Sequence, residues 1–447
     1  MAKSELRSGG EFNILQADLV LSTGKVVGLE ASIMGLSIFE GINQLTVTGT
    51  VTIQDAFNLA SFGPIIGQEY LKLKIATPNL TGSLNTIDYS VNPFMITSID
   101  DRVDIGNGVQ ATTMTFCSRE FVINQRARVR RNLVGSYSDI VLRMLTDDKD
   151  GLGTKKKLYI EPSADNKKII APNIKPLDVI AIATKNAVSK KFDQSTYFFW
   201  ESTSGFNFRT LGDMYSQSPV MTYESSVAGK RTKDGVRDIL AELSAIENYR
   251  ISGSPDTVWN YTTGTFSSEL IVHDIISKSY KKHLYRYGDN FSNEQHLGTD
   301  PLAVNDPDGI DVSSFPSKQY LKPTVGFGKD QSFNDEFYQY AYGSNRLNLM
   351  QSRNSQLAML ESALQLNIDV VGTTIVKAGD IVKIIIPSVA AVKTTKNETQ
   401  DMLYNGNFLI RSIRHDFNII DEKHTMSMNV TKDAIGVTYE NYDEDVV

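Results

Sequence analysis

The chain has 447 residues and a mass of 49.6 kDa, with 52 acidic against 45 basic side chains and a net charge of −7. At roughly 100–200 residues per domain the length allows two to four domains, and 41% hydrophobic with 22% charged residues exclude a disordered tail, a coiled coil and a collagen-like chain. A single cysteine, Cys117, excludes a disulfide framework and a multi-cysteine zinc site, and the acidic balance argues against a nucleic-acid binder.

From the N-terminus, Met1 to Phe12 is polar, so export through a signal peptide is not expected. Residues 1–120 read as a first antiparallel β-barrel. Leu45 to Ile53 alternates apolar and β-branched polar residues, the pattern of a half-buried strand. Tyr70 to Ile75, Phe94 to Ile99 and Thr113 to Phe116 do the same, with Gly106-Asn107-Gly108 as a turn between the last two. Residues 121–215 read as an inserted α+β domain. Ser138 is placed to cap a helix carrying Ile140, Val141, Met144 and Leu145, and Pro176 opens a second helix. Tyr197 to Glu201 and Phe206 to Phe208 form a hairpin across Thr203-Ser204-Gly205.

Residues 216–280 and 356–440 read as two parts of a second barrel, separated by an irregular insertion at 281–355 and followed by an acidic tail at 441–447. The insertion is punctuated by Asp300-Pro301, Asp306-Pro307, Phe315-Pro316 and Lys322-Pro323, and turns helical from Asn345 through Leu360. The reason to posit a second barrel is an internal repeat. Phe94-Met95-Ile96-Thr97-Ser98-Ile99 matches Phe408-Leu409-Ile410-Arg411-Ser412-Ile413, with Phe94, Ile96, Ser98 and Ile99 identical to Phe408, Ile410, Ser412 and Ile413. Glu69 to Ile75 matches Asp380 to Ile386 around a shared lysine, Thr113 to Phe116 matches Thr425 to Met428, and Thr50 to Asp55 matches Glu269 to Asp274. Any one match is ordinary strand alternation. Four in the same order indicate a duplication.

No catalytic constellation accompanies the repeat. Five scattered histidines define no metal spacing, and the pairs His273-Asp274 and His415-Asp416 are expected at strand ends rather than on the helix a metal-dependent phosphohydrolase would need. Around Gly151 a calcium loop would put Thr146 first and Lys157 twelfth; around Gly309 it would put Val304 and Phe315 there, so both lack their ligands. There is no phosphate-cradling loop, no Gly-x-Ser-x-Gly elbow and no His-Glu-x-x-His helix. Asp335-Glu336 has no acid–nucleophile context, and Cys117 reads as a small core residue in a strand. The expectation is therefore no catalytic, cofactor-binding or metal residue, and no cofactor; the residues singled out are the eight repeat-defining ones.

Several stretches together carry a family resemblance: Leu45 to Asp55 followed by Gly63 to Glu69; Pro176-Leu177 leading into Tyr197 to Glu201 and Gly205 to Phe208; Leu270 to Asp274 with Lys278, Tyr280 and Tyr287; and Gly372-Thr373, Ala378 to Asp380 and Gly406 to His415. In these the chain resembles the central baseplate hub proteins of contractile-tailed bacteriophages, a family related to the hubs of type VI secretion and other contractile injection systems. The resemblance implies a mainly β chain with two tail-tube-like barrels and α+β insertions, assembling as a homotrimer so that six barrels meet a sixfold tail tube. It implies the tail tube protein, a central spike protein and other baseplate proteins as partners. It further implies a place in the virion tail after assembly in the host cytoplasm; the acidic balance adds the expectation of a lumen through which DNA passes without specific binding, and the lack of an apolar run of about 18 residues the expectation of no membrane insertion. The rival readings are the hub of a secretion or extracellular injection system, a cell-wall hydrolase on a hub-like scaffold, and a sugar-binding β module.

Overall fold

The computed structural model describes residues 9–55, 65–78, 84–106, 108–164, 166–225, 242–275, 278–306, 308–324, 349–387, 401 and 403–435. The acidic tail, Asp335-Glu336, Gly63-Pro64 and residues 345–348 of the expected helix lie outside these residues, as do Asn107 of the expected turn and Pro307 of the insertion.

Strands β1 (Asn13–Val20), β2 (Val26–Gly28), β3 (Ile33–Gly41), β4 (Thr48–Asp55), β5 (Tyr70–Pro78), β6 (Leu84–Gly106) and β7 (Val109–Ser118) form the first half. In β4, and in β5 as far as Ile75, every second residue is buried, as the alternation predicts. Their inward side chains, among them Leu71, Leu73, Phe94, Met114 and Phe116, make one core. The inserted domain follows with α1 (Arg119–Arg126), β8 (Asn132–Ser136), α2 (Tyr137–Thr146), β9 (Leu158–Ile160), β10 (Asn166–Ile170), α3 (Pro176–Asn186), β11 (Tyr197–Ser202), β12 (Gly205–Thr210) and α4 (Leu211–Tyr215). The cap of α2 is Ser136 rather than Ser138: Ser136 Oγ accepts from Asp139 N–H at 3.2 Å, while Ser138 Oγ accepts from Ser163 N–H at 3.1 Å. The β11–β12 hairpin is buried on both faces. Tyr197 and Phe199 enter the core under α2 and α3, and Phe198 and Trp200 point the other way, toward the second half.

The second half contains β13 (Met221–Glu224), β14 (Ile246–Gly253), α5 (Thr257–Thr263), β15 (Ser267–Asp274), β16 (Ser279–Arg286), α6 (Tyr287–Phe291), β17 (Asp300–Pro301), β18 (Lys318–Thr324), α7 (Leu349–Ser362), β19 (Leu364–Val371), β20 (Ile381–Ile385), β21 (Gly406–Asn418), β22 (Lys423–Lys432) and β23 (Ala434–Ile435). One long sheet runs β14-β19-β22-β21-β3-β4-β7-β6-β5-β1-β2 through both halves, with β20 and β13 attached to β21. No helix of the described residues is long and apolar enough to cross a membrane.

Pairing registers make the internal repeat explicit. In β6–β7, Ile96 opposes Phe116, Thr97 is skipped, and Ser98 and Ile99 oppose Thr115 and Met114. In β21–β22, Ile410 opposes Val430, Arg411 is skipped, and Ser412 and Ile413 oppose Asn429 and Met428. The bulge falls at the same place in both copies. Leu71 opposes Phe94 as Val382 opposes Phe408, and the Ile96 and Ile410 amides donate to the carbonyls of Glu69 and Asp380 at 2.9 and 3.0 Å. A second shared bulge lies between Ile33 and Gly35 on β3 and between Ile246 and Asn248 on β14.

Two of the expected matches change. Residues 267–274 are not the counterpart of β4: they form β15, paired with β16 and β18 in a separate three-stranded sheet, and β19 stands where β4 stands in the first half. The β7–β22 match is correct as to strand but shifts by two residues, because Met114 aligns with Met428. Each half is a curved sheet rather than a barrel closed by backbone pairing among the described residues; in the second half a single bridge, Glu224 to Ala245, spans the gap. The copies also diverge at one edge, where β1 runs antiparallel to β5 but β13 runs parallel to β20.

Candidate assembly interface

The two halves meet where β21 pairs antiparallel with β3, from Ser412 opposite Gly41 to Asn418 opposite Gly35. Along β3 the buried positions Leu36, Ile38 and Glu40 are in phase, so the alternation drives a carboxylate inward. Glu40 is 1% exposed. Its oxygens accept from Thr203 N–H at 2.6 Å and Ala378 N–H at 2.7 Å, so one side chain ties β3 to the β11–β12 turn and to the loop before β20. Buried carboxylates held by backbone donors are strong joints, because the charge strengthens both hydrogen bonds.

Beside Glu40 lie two fully buried imidazoles. His415 Nε2 is 4.0 Å from Glu40 Oε1, and His415 Nδ1 is 3.2 Å from His424 Nε2. His424 stacks on Phe417 with ring centroids 4.0 Å apart, and its other side faces Gly372, where a Cβ would approach the ring to 2.1 Å. Burial, with the neighbouring His415 adding to it, drives His424 well below the usual histidine pKa, so the ring is neutral. The pair His415-Asp416 therefore sits inside β21, not at a strand end.

A second buried joint fastens the inserted domain to the first half. Lys156 Nζ contacts Glu120 Oε2 and Glu201 Oε1, each at 2.7 Å, with all three side chains less than 10% exposed. Thr154 Oγ1 donates to Glu120 at 2.7 Å, Val47 N–H donates to Glu201 at 2.9 Å, and the ammonium lies 5.3 Å from the Tyr89 ring centroid. Desolvation lowers the lysine's affinity for its proton, but the two carboxylates outweigh it and the pKa is raised. Of the carboxylates, Glu201 is pushed up by complete burial, while Glu120 is burdened by desolvation yet held low overall by Lys156. On the other face of the hairpin, Trp200 Nε1–H donates to Ala378 O of the second half at 3.0 Å. Gly379 has φ +90°, and a Cβ there would lie 2.4 Å from Trp200 Cζ2, so only glycine fits.

Between the inserted domain and the second half runs an open groove of about 570 Å³ lined by Glu161, Arg209, Asp213, Lys377 and Asp380. Arg209 pairs with Asp213 at 2.5 Å, and burial pushes Asp380 up to about 6. Asp380 accepts from Lys377 N–H at 3.0 Å, as Glu69 does from Ile66 N–H at 2.9 Å, so the equivalent carboxylates of the two copies serve as loop caps. Among the described residues no three His, Cys, Asp or Glu side chains converge as a metal site. Cys117 is buried, and desolvation pushes its thiol up to about 11.

The repeat-defining residues occupy equivalent places: Phe94, Ile96, Phe408 and Ile410 are fully buried, and Ser98 and Ser412 follow the shared bulge. Ile413 is 2% exposed but Ile99 is 42% exposed. Of the residues that hold the parts together, the sequence reading places Trp200 and Glu201 in the hairpin and gives Glu40, Glu120 and Lys156 no role. Only Glu40 carried a signal, its phase with Leu36 and Ile38.

No family model matches this sequence, and no curated protein matches it by sequence. Solved structures do match by shape. A tail protein from Neisseria meningitidis MC58 aligns over 95% of this chain and 97% of its own, with TM-score 0.52 and 13% identity. The 43 kDa tail protein of prophage MuSo2 from Shewanella oneidensis aligns over 94% and 99%, with TM-score 0.51 and 10% identity. The chain has the fold of these tail proteins. A Francisella PdpA–VgrG complex also matches, over 96% of this chain and 54% of the other, with TM-score 0.44. Within the tail-protein fold, the joints at Glu40 and Lys156 are what hold the two halves and the inserted domain together.

Proposed function

We propose that the chain is a structural, non-enzymatic hub of a contractile tail, a homotrimer that joins the tail tube to the central spike and encloses the channel for genome passage. The observation that carries this is the duplicated sheet with shared bulges on one chain of tail-protein fold. Two near-equivalent units per chain allow three chains to present six units around one axis, while the assembly as a whole keeps threefold symmetry for a spike. The eight repeat-defining residues are then fold determinants of the two units. Tail tube, spike and other baseplate proteins are the partners, and a chain of net charge −7 suits a lumen through which DNA moves without sticking. The units run 1–120 for the first sheet, 121–215 for the inserted domain, and 216–280 with 356–440 for the second sheet around the insertion at 281–355, except that β15, β16 and β18 form a sheet of their own across the boundary at 280.

Native mass measurement and imaging of the purified chain test this reading. Particles of three chains with threefold symmetry and an open axial pore are expected. Twofold dimers or solid particles refute it.

A further inference from the structure

A lysine enclosed in the second half lies against an asparagine. Lys432, at the end of β22, is 0% exposed. Its side chain passes the Phe408 ring, with Nζ 5.6 Å from the centroid, and Nζ donates to Asn405 O at 2.5 Å in the turn before β21. Gly406 leaves room for this approach, since a Cβ there would lie 3.2 Å from Nζ. Burial, against the opposing pull of Asp433 and Asp401, lowers the pKa of Lys432 to about 8. A desolvated lysine of this kind is neutral and nucleophilic for a substantial share of the time at mildly alkaline pH. The side chain of Asn405 is held in a state suited to attack. Its Oδ1 accepts from Ile386 N–H, just past β20, at 2.5 Å, a donor placed to stabilise negative charge on that oxygen. Its Nδ2 is buried and has no hydrogen-bond partner among the described residues, so nothing there restrains it from leaving. Asp401 caps the same turn, its Oδ1 accepting from Leu403 and Tyr404 N–H at 2.9 Å each, which leaves Oδ2 for proton transfer.

We propose that Lys432 and Asn405 join in an isopeptide bond. The amine lone pair of Lys432 attacks Cγ of Asn405 and forms the Nζ–Cγ bond. The Cγ–Nδ2 bond then breaks, and its electron pair leaves on Nδ2. Asp401 takes one proton from Nζ and delivers it to Nδ2, so the products are one secondary amide and one ammonia, and no oxidant or cofactor is consumed. Folding supplies the proximity, because the β21–β22 pairing brings the two residues together across 27 positions of sequence. The last pair of that ladder is Leu409 opposite Thr431, and the bond closes the strand ends beyond it. A covalent tie there constrains the unfolded chain as well as the folded one.

Mass spectrometry of the full-length chain, purified folded and then denatured, tests this. The expected mass is below that of the sequence by one ammonia. Tryptic digestion is expected to give a branched peptide in which residues 397–411 are joined through Asn405 to Lys432, with no cleavage after Lys432. K432R and N405A should each show the full mass of their own sequence, and D401N should lose ammonia more slowly in freshly made chain. Asn405 also precedes a glycine, and ring closure by the Gly406 nitrogen would release ammonia with no part for Lys432. A mass deficit that persists in K432R is that ring and overturns the cross-link. A full sequence mass in folded native chain held at mildly alkaline pH overturns it as well, and an undiminished rate in D401N overturns the proton relay.

Discussion

Lys156→Met removes the one cation between two buried carboxylates while keeping most of the side-chain volume. In the native chain Glu120 and Glu201 each contact the ammonium at 2.7 Å, and Glu201 is wholly buried. Breaking a buried ion pair by deleting one partner costs about 3–5 kcal/mol, because the remaining charge is left desolvated. With unfolding entropy of about 2.1 cal/mol/K per residue, that cost lowers Tm by about 3–5 °C if the whole chain melts together, and by more if the inserted domain melts alone. The loss is pH-dependent with a definite sign. Without Lys156 both carboxylates have folded pKa values raised above their unfolded ones, so their destabilising effect is absent at low pH and grows as pH rises through the unfolded carboxylate range. Scanning calorimetry of the variant at pH 5 and pH 7.5 should show the larger deficit at pH 7.5. The triple variant E120Q/K156M/E201Q should recover most of it, since each glutamine oxygen can still accept from Thr154 or Val47. A K156M chain as stable as the native one at pH 7.5, or a triple variant no better than the single, refutes the account of this joint.

Gly379→Ala should cost about 2–4 kcal/mol, combining a positive φ with overpacking against Trp200, and red-shifted tryptophan emission would check that the ring is displaced. Glu40→Gln should cost about 1–3 kcal/mol by turning one accepting oxygen into a donor facing a backbone N–H, measured as a shift in denaturant midpoint. His424, held neutral by burial, should make stability fall as pH drops below the unfolded histidine value, so His424→Gln should flatten that limb of a Tm–pH profile. His296 is desolvated, but its 2.8 Å contact with Asp433 outweighs this and raises its pKa, so its contribution is lost as pH rises and His296→Gln should flatten the opposite limb.

What was legible in the sequence was what local alternation encodes. Strands β4 to β7 and β21 to β22 read out because one face is buried, and the β6–β21 match held its register because four identical residues flank a shared bulge. The β7–β22 match slipped by two because a slip of two residues in an alternating strand keeps every side chain on its own face, so pattern alone does not resist it. Leu270-Ile271-Val272 passed for the counterpart of β4 for the same reason: alternation is common to every half-buried strand, and only pairing partners distinguish β15 from β19. The buried joints were illegible because their partners are remote. Glu40 meets Ala378 338 positions away and Val47 meets Glu201 154 positions away.

The two copies differ in chemistry at the positions where β21 meets β3 and at their equivalents on β6 and β14. The β21–β3 joint is buried inside the chain and holds Glu40, whose oxygens accept from two backbone donors, and two imidazoles in contact with one another, whose other nitrogens, His415 Nε2 and His424 Nδ1, are buried without a hydrogen-bond partner. At the positions equivalent to Arg414, His415 and Phe417, β6 carries Asp101, Arg102 and Asp104, and β14 carries Arg250 where β3 carries Ser37. Charges on a strand edge discourage wrong pairing, and native sheets use charged edges in this way.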